Sequence, residues 1–418
     1  MSEMKRREKE MHVLFLAAYY PPERTADTHL EQDLIEGMVK RGWKVDIVCP
    51  TPTRGCSEEE IEKYEKIKEE KQFEGKVIVH RFWAPQEKTN AVARALRYLW
   101  CNIREIIIGR KIKNIDVIYC NSTPPIQGLA ANAIKKKMGC AFVYSLQDLF
   151  PDSLVTAGIA EKKSFPYKIG LKIEKKTYEA CDKIITLSES FQRMLIEKGV
   201  KPTRLNVVYN WINTDDVFPV KKENNRLYDE LGIAKNKFTI LYAGNFGRSQ
   251  NIDYIIDAAK KLLYNNRIQF VLFGAGSEFE RIEQRVTEEG ITNCSVFPLM
   301  PLERVGEVYS LGDVDIVCNA SGISMVGMPS KTWTIMATET PVVAIVDLNS
   351  ELASIITQSC SGWICNPSGI TDFVNILNYV IDNPNELRDY GKNARNLVEN
   401  RFSKNQAVEA YLNIISET

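Results

Sequence analysis

Ser330 and Lys331 stand where a polar loop gives way to a short stretch with helical spacing. The first residues of a helix carry backbone N–H groups without intrahelical partners, and the helix dipole makes this end attractive to anions. A lysine is unfavourable at this end unless an anion nearby offsets its charge. The pattern therefore predicts that Ser330 and Lys331 bind a phosphate-like group, and the alternative is a solvated lysine.

Two glycine loops follow apolar runs that have the character of buried strands. In Gly244–Gln250, which reads GNFGRSQ, the glycines allow close backbone approach to a phosphate. Arg248 adds a cationic fork, and Asn245 lies in the same loop. The second loop, Gly274-Ala275-Gly276, lacks a third glycine and is the weaker signal. Both loops are also compatible with tight turns that bind nothing.

Carboxylates at two other strand ends could bind or activate hydroxyl groups. Ser350 and Glu351 begin a helix, and Glu351 could accept hydrogen bonds from ribose or sugar hydroxyls. The alternative is a first-turn acid that the helix dipole favours. Asp148 and Asp152 flank a Phe-Pro pair after another apolar run. One of them could orient an acceptor hydroxyl or act as a base, whereas an N-cap role is the alternative.

The histidines do not point to a metal centre. The chain has three histidines that are far apart in sequence, so a site built on histidine ligands is not expected. His29 lies four residues from Asp33 and fits a surface or capping role better than a catalytic one. No GxSxG or GxxxxGKS/T motif occurs, which argues against hydrolases and P-loop ATPases.

Composition indicates a globular cytoplasmic protein. The 418 residues are 44% hydrophobic and 26% charged with zero net charge, so nucleic acid is not an expected partner. There is no C-x-x-C pair, and Cys49, Cys120 and Cys318 lie in apolar runs, as reduced core cysteines do. The basic start runs straight into a strand, and no apolar run reaches the roughly 18 residues that a spanning helix needs.

Two stretches combine basic residues with apolar and aromatic residues at helical spacing. Ala91–Lys113 includes Trp100 among its apolar residues, and Lys162–Lys176 includes Phe165 and Tyr167 among its lysines. Basic amphipathic helices of this type can lie on anionic lipid. The pattern predicts peripheral binding to the inner face of the cell membrane. The alternative is two core-packing helices with basic outer faces.

Apolar strands and amphipathic helices alternate along both halves of the chain. Runs such as His12–Ala18 are continuously apolar, as strands buried on both faces are. The polar interval Asn210–Lys237 separates two such series and is the predicted linker. The pattern predicts an α/β fold of two tandem doubly wound, Rossmann-like domains. Their ligands should lie beyond the carboxyl ends of the strands, in a cleft that both domains face.

Almost the whole chain resembles the family-4 retaining glycosyltransferases of GT-B fold. It is most similar to the bacterial branch of capsule, O-antigen and colanic-acid (lipopolysaccharide-type surface glycan) assembly, which includes fucose and N-acetylfucosamine transferases. The resemblance is carried, in this order, by AAYYPPE, QDLFPDSLVTAGI, IITLSES, VVYNWINTDDV, YAGNFGRSQNID, FGAGSE and GMPSKTWTIMATETPVVA. The ordered set is specific for the family and the fold, and it is a weak guide to the sugar.

The resemblance implies three parts of the chain. Residues 1–212 would bind the acceptor, 213–400 would bind the nucleotide sugar, and 401–418 would form a helix that packs back on the first domain. It also implies that no cofactor or obligatory metal takes part. The donor site that it implies consists of Gly244, Asn245, Arg248, Gln250, Gly276, Met300, Ser330, Lys331, Ser350 and Glu351.

The chain departs from the family pattern at two points. Many members carry two glutamates eight positions apart, and Val326 and Thr334 occupy those positions here. Lys331 is then expected to neutralise the phosphate in their place. The usual glycine pair after the first strand is replaced by Arg24-Thr25-Ala26, so Thr25 and the nearby His29 are expected on the acceptor side.

The resulting hypothesis is a retaining glycosyltransferase (a hexosyltransferase) that acts in bacterial surface polysaccharide biosynthesis. It would move a sugar from a nucleotide diphosphate sugar, UDP before GDP, to a lipid-linked or glycan acceptor by front-face attack. Positive charge would stabilise the leaving diphosphate, and domain closure would exclude water. Two alternatives are open: a UDP-N-acetylglucosamine 2-epimerase-like enzyme, and a catalytically degenerate binding subunit with this fold.

Overall fold

The computed structural model describes residues 10–23, 25, 28–87, 90–156, 160–322 and 328–418. Contacts between residues divide the chain into two compact units. The first unit contains the described residues up to Tyr209 together with Val408–Thr418, and the second unit is Asn210–Ala407. Each unit is an α/β structure around a largely parallel sheet, which confirms the predicted fold class of two Rossmann-like domains in tandem.

The first unit is built on an eight-stranded sheet with the order β3-β4-β2-β1-β5-β6-β7-β8. All neighbouring strands are parallel except β3 and β4. The central strands are buried along their whole length, because helices cover both faces of such a sheet. The strands are β1 His12–Leu16, β2 Lys44–Pro50, β3 Glu69–Gln72, β4 Val77–Phe82, β5 Val117–Asn121, β6 Ala141–Leu146, β7 Lys183–Thr186 and β8 Leu205–Val207.

Seven helices connect the strands of the first unit. Their starts follow local capping rules; for example, the Asn90 side chain accepts from the backbone of α3, and the Ser188 side chain does so for α7. The helices are α1 Thr28–Lys40, α2 Glu58–Glu65, α3 Ala91–Gly109, α4 Gln127–Met138, α5 Asp152–Thr156, α6 Phe165–Ala180 and α7 Glu189–Glu197.

The second unit is built on a six-stranded parallel sheet with the order β11-β10-β9-β12-β13-β14. Its strands are β9 Phe238–Asn245, β10 Ile268–Ala275, β11 Cys294–Pro298, β12 Val314–Cys318, β13 Val342–Ile345 and β14 Gly362–Cys365. Its helices are α8 Leu227–Glu230, α9 Ile252–Lys261, α10 Phe279–Glu288, α11 Val305–Tyr309, α12 Lys331–Ala337, α13 Glu351–Ser359, α14 Ile370–Asp382 and α15 Pro384–Arg401.

The last helix, α16 Lys404–Ser416, contributes its final residues to the first unit. The buried Tyr411 hydroxyl lies 3.0 Å from the Ser145 hydroxyl on β6. Gly37 on α1 lacks a side chain where Val408 packs, since a Cβ there would lie 2.3 Å from Val408 Cγ1. These contacts fasten the end of the chain to the sheet and helices of the first unit.

The interval Asn210–Lys237 is not a free linker. Tyr228 is almost fully buried, and its hydroxyl donates to the Leu311 carbonyl at 2.7 Å. The buried Asn225 amide donates to the Glu307 carbonyl at 2.7 Å. The linker interpretation is therefore wrong for this part of the interval, because these side chains pack within the second unit.

Two histidines that are far apart in sequence lie close together in the structure. His12 Nε2 lies 2.5 Å from one carboxylate oxygen of Asp46, and His80 contacts the other oxygen. Burial opposes ionisation of Asp46, but the hydrogen bonds from both histidines lower its pKa to about 2. The hydrogen bond to Asp46 in turn raises the pKa of His12. Two of the three histidines thus share one carboxylate across β1, β2 and β4.

Candidate functional site

Most of the predicted donor-binding residues lie at one edge of the second sheet. Parallel strands place the loops after their carboxyl ends on the same side, and the strand order changes direction between β9 and β12, where open α/β sheets form a crevice. The residues at this edge are Gly244 and Asn245 at the end of β9, Arg248 and Gln250 after it, Gly276 after β10, Met300 after β11, Ser330 and Lys331 at the start of α12, and Ser350 and Glu351 at the start of α13.

The loops after β9 and β10 are joined to each other. The Phe246 amide donates to the Ala275 carbonyl at 2.7 Å, and the Glu278 amide donates to the Phe246 carbonyl at 3.0 Å. The Phe246 ring is fully buried against Gly274, where a Cβ would lie 2.2 Å from a ring carbon. One glycine of Gly274-Ala275-Gly276 therefore has a packing role.

Gly276 makes room for a neighbouring polar side chain. Its φ of +131° is rare for residues with a Cβ, and a Cβ there would lie 2.4 Å from Asn245 Oδ1. The Asn245 amide then donates to Gln250 Oε1 at 3.2 Å. The two glycine loops thus hold two amide side chains in fixed positions at the sheet edge.

We expect Gly274→Ala to lower the free energy of unfolding by about 1–3 kcal/mol, because the added methyl group overlaps the buried Phe246 ring. Urea unfolding monitored by circular dichroism measures the change. Gly306→Ala on α11 is the matched control, since its Cβ would lie at an ordinary 3.5 Å from the Phe218 carbonyl oxygen. Equal stability of the two variants would contradict the packing role of Gly274.

Arg248 is the accessible cation of this edge. Its side chain is 94% exposed, and its Nε lies 3.9 Å from a Glu278 carboxylate oxygen, beyond hydrogen-bonding distance. An exposed guanidinium in a glycine loop keeps its forked donors available for an anionic oxygen. The geometry is compatible with the predicted role of Arg248.

Lys331 is not the solvated lysine of the alternative interpretation. Its ammonium nitrogen is buried, lies 3.8 Å from the centre of the Tyr242 ring, and has no hydrogen-bond partner among the described residues. Burial lowers the pKa of Lys331 to about 8, against the opposing effects of Cys318 and Asp315. A Cβ on Gly244 would lie 3.0 Å from this nitrogen. The cation therefore lies directly behind the first glycine loop.

A buried carboxyl group accompanies this cation. Asp315 on β12 is buried, both of its side-chain oxygens lack a partner in the described part of the chain, and burial raises its pKa well above the usual range. Sequence inspection did not single out Asp315, because it lies in an apolar strand. Its proximity to Lys331 follows only from the packing of α12 against β12.

The serines at the two helix starts differ. Ser350 is buried, and its hydroxyl oxygen accepts from the Ala353 amide at 3.2 Å, so it caps α13. The cap gives Ser350 a structural role, and its donor-binding role stays a prediction. Ser330 is exposed and caps nothing, and α12 has only seven residues, so the dipole argument for this site is weaker than expected. Glu351, in the first turn of α13, is partly exposed.

Asp347 is a residue of this edge that sequence inspection passed over. It follows β13, and its two carboxylate oxygens accept from the Gly322 amide at 3.1 and 3.0 Å. It thereby fixes the start of the loop after β12. Of the two positions where relatives carry glutamates, Val326 lies outside the described residues, and Thr334 is partly buried on α12. The neighbouring Gly327 is also outside the described residues.

The two aspartates of the first unit have different surroundings. Asp152 accepts from Lys198 at 2.5 Å and from Tyr167 at 2.8 Å, and Lys198 also contacts Glu174 at 2.5 Å. Burial alone would raise the pKa of Asp152, but these hydrogen bonds lower it. The ion-pair network favours a structural role for Asp152. Asp148 is exposed, and the surrounding protein raises its pKa, so it is the better candidate for an acid or base.

A cavity of about 130 Å³ opens in the first unit beside the carboxyl ends of β1 and β5. Thr25 lines it, as the acceptor-side prediction requires, whereas His29 is exposed on α1 and is not part of the lining. The strand order changes direction between β1 and β5, which is the usual position of a ligand crevice. The cavity is lined by Ala18, Tyr19, Thr25, Glu31, Arg54, Asn121 and Thr123.

Neither a metal-binding cluster nor a membrane-spanning helix is found among the described residues. No cluster of three or more histidine, cysteine or acidic side chains in them has a geometry suited to a metal ion. None of their helices combines the length and the apolar character needed to cross a bilayer.

Two doubly wound units with polar loops at their carboxyl edges have the layout of GT-B glycosyltransferases, and comparison with known proteins gives the class. Residues 31–216 match the family described as Glycosyltransferase Family 4, and residues 223–397 match Glycosyl transferases group 1. The chain therefore belongs to these glycosyltransferases, with the family 4 part first and the group 1 part second. It is an enzyme of the transferase class.

Individual relatives are distant in sequence. The chain is 24% identical to the glycosyltransferase WbjE of Pseudomonas aeruginosa, over 71% of this chain and 73% of that protein. It is 22% identical to the protein described as colanic acid biosynthesis glycosyl transferase WcaI of Escherichia coli, over 97% and 100% of the two chains. The structure of Anabaena HepE in complex with UDP superposes with a TM-score of 0.73 at 15% identity, covering 98% of this chain and 100% of that chain.

Proposed function

We propose that the protein transfers a sugar from a nucleotide diphosphate sugar, with UDP favoured over GDP, to a lipid-linked or glycan acceptor in bacterial surface polysaccharide assembly. The observation that carries the proposal is the buried ammonium of Lys331 behind Gly244, in the same edge as the exposed Arg248. The UDP bound in the HepE structure supports a UDP-sugar donor. The description of WcaI, which names colanic acid biosynthesis, supports a role in surface polysaccharide assembly.

In this proposal the loops around β9 hold the leaving diphosphate. Arg248 has forked donors for phosphate oxygens, and the Lys331 charge raises the potential of the loop in front of it. Because the ammonium lies in a region of low dielectric, its field is screened less than that of a surface lysine. Both charges stabilise the diphosphate as the glycosidic bond breaks, and the sugar is transferred with retention and without an obligatory metal.

The epimerase-like alternative requires acid and base side chains at the ligand edge. His12 is the first residue of β1, at the amino end of the strand, and it is held by Asp46. His29 is exposed on α1. Neither position suits proton transfer at the carboxyl edges, so the transferase is favoured.

Peripheral membrane binding is part of the proposal. The outward face of α3 is apolar rather than basic, which disagrees with the alternative of two helices with basic outer faces. Trp83 is 55% exposed beside α3, and its carbonyl accepts from the Trp100 indole at 2.9 Å. Basic residues flank these surfaces, as on proteins that lie on anionic lipid. The exposed apolar side chains are Val92, Leu96, Leu99, Trp100, Ile103 and Ile107 on α3 and Phe165, Ile169 and Leu171 on α6.

Thermal unfolding of the protein with a panel of UDP- and GDP-sugars tests the proposal. One nucleotide class should raise the midpoint, and an active donor should release its sugar slowly even without acceptor. UDP-N-acetylglucosamine is also followed for conversion at C2, which detects an epimerase. Binding without any release or transfer would favour a degenerate binding subunit, and absence of any shift would refute the donor site.

A further inference from the structure

Two arginines share a carboxylate beside the cavity in the first unit. Arg54 lines the cavity and its side chain is 53% exposed. Arg94, in the first turn of α3, is 45% exposed. Both guanidinium groups face the carboxylate of Glu87, with Arg54 Nε at 3.8 Å and Arg94 Nε at 3.5 Å. One carboxylate is thus shared between two cations.

Tyr19 fixes the position of this group. Its hydroxyl donates to Glu87 at 2.9 Å, and the Arg54 guanidinium lies 5.4 Å from the centre of its ring. Glu87 is only 11% exposed, so the carboxylate is anchored while the two guanidinium groups reach into solvent. The distances to Glu87 are longer than the roughly 2.7–2.9 Å of a strong charge-assisted hydrogen bond. Arg94 also donates to the Tyr98 hydroxyl at 3.3 Å, and the remaining forked N–H donors of the two arginines are available to another anion.

The cavity behind the arginines is polar and small. Asn121 donates to Glu31 at 2.6 Å, and Thr25 and Thr123 add hydroxyl groups to the wall. A volume of about 130 Å³ corresponds to roughly four water molecules in the liquid, at about 30 Å³ each. The carboxylate, amide and hydroxyl groups of its wall are suited to the hydroxyls of a sugar that reaches into it.

We propose that Arg54 and Arg94 bind a phosphate or diphosphate group of the acceptor, whose sugar enters the cavity behind them. The inference rests on the proposed glycosyltransferase function and specifies its acceptor as a glycosyl phosphate rather than a neutral glycan. Guanidinium pairs match the geometry and charge of phosphate oxygens, whereas a neutral acceptor would leave the exposed forked donors of both arginines to water. The phosphate belongs either to a lipid carrier or to a soluble sugar phosphate.

Isothermal titration calorimetry at a saturating UDP concentration, which occupies the donor site, tests the proposal with three probes: geranyl diphosphate, glucose 1-phosphate and inorganic pyrophosphate. In the variant with both Arg54→Gln and Arg94→Gln, binding of the best probe should weaken about tenfold or more. Lys111→Gln removes an exposed positive charge beyond the other end of α3 and is the matched control, with binding unchanged.

A lipid-borne phosphate predicts the tightest binding for geranyl diphosphate, and a soluble sugar phosphate predicts it for glucose 1-phosphate; either result supports the site. The proposal is overturned if no probe binds the wild type, or if the double variant binds every probe as the wild type does. Titration of UDP alone reports separately on the donor site. If the protein does not bind UDP but the double variant binds the probes more weakly than the wild type, the proposed function is refuted and the anion site is still supported.

Discussion

Replacing Lys331 by methionine is expected to lower the rate of sugar transfer by about 100-fold or more and to make the protein more stable. The rate falls because the buried cation behind Gly244 no longer stabilises the leaving diphosphate, and the loss of one preorganised charge in a site of this type has that order of magnitude. Stability rises because methionine fills a similar volume without burying a charge.

The gain in stability should depend on pH in a defined direction. Burial lowers the pKa of Lys331 from 10.5 to about 8, so the folded state releases a proton that the unfolded state retains. The unfolded state therefore binds more protons between these values, and the wild type becomes more stable as pH rises from 8 to 10.5. Below pH 8 the buried charge lowers the free energy of unfolding by about 3 kcal/mol, at about 1.4 kcal/mol per pKa unit.

Transfer assays and urea unfolding at pH 7 and pH 10 measure the two effects of Lys331→Met. The methionine variant should lose activity and gain most stability at pH 7, with a smaller gain at pH 10. Lys261→Met, at the exposed end of α9, serves as control and should change neither quantity much. Full activity in Lys331→Met would remove the lysine from the donor site, whatever its effect on stability.

Glu105→Gln is expected to stabilise the protein by a few kcal/mol above pH 8 and to remove a pH dependence. Glu105 is buried between α3 and α4, and burial raises its pKa to about 8, although the hydrogen bond from Gln127 opposes the shift. One oxygen of Glu105 and the amide oxygen of Gln127 lack partners in the described part of the chain. In Glu105→Gln the side-chain NH2 group replaces the unpaired Glu105 oxygen and can donate to the Gln127 amide oxygen.

The direction of the pH dependence follows from the raised pKa. Between the ordinary glutamate pKa of 4.5 and about 8, the folded state holds a proton that the unfolded state has lost. The wild type therefore loses stability as pH rises through this range, by several kcal/mol in total. Unfolding at pH 5 and pH 8.5 measures the slope, with Glu62→Gln on exposed α2 as control. A wild type whose stability is equal at both pH values would contradict the protonated state.

The sheets of both units could be predicted because parallel strands buried on two faces are continuous apolar runs. The runs at β1 and β13 illustrate this, and a strand such as β3 does not. Glu69–Gln72 is wholly polar and pairs with β4 on one side only, and the charged run from Glu58 to Lys71 by itself predicts a solvated helix or an insertion. The helix exists as α2, and the strand was missed because no apolar alternation marks it.

The residues that bind ligands were harder to place than the strands. Positions such as Asn245 and Lys331 could be predicted, because Asn245 ends a strand and Lys331 begins a helix after a polar loop. The direction of the Lys331 side chain could not be predicted, because it depends on Tyr242 on β9 and Asp315 on β12. The same holds for Asp46, which joins His12 and His80 only through the register of three strands. Contacts between the strands of a sheet cannot be predicted from the spacing of residue types along the sequence.

The polar strand β3 has a consequence for the behaviour of the protein in concentrated solution. A sheet edge presents unpaired backbone donors and acceptors, and an apolar edge invites pairing with the sheet of another molecule. Here the outermost strand carries Glu69, Glu70 and Lys71, is four residues long, and runs antiparallel to its neighbour. Charged side chains on so short a strand oppose the addition of a further strand, so this edge should resist aggregation through sheet extension.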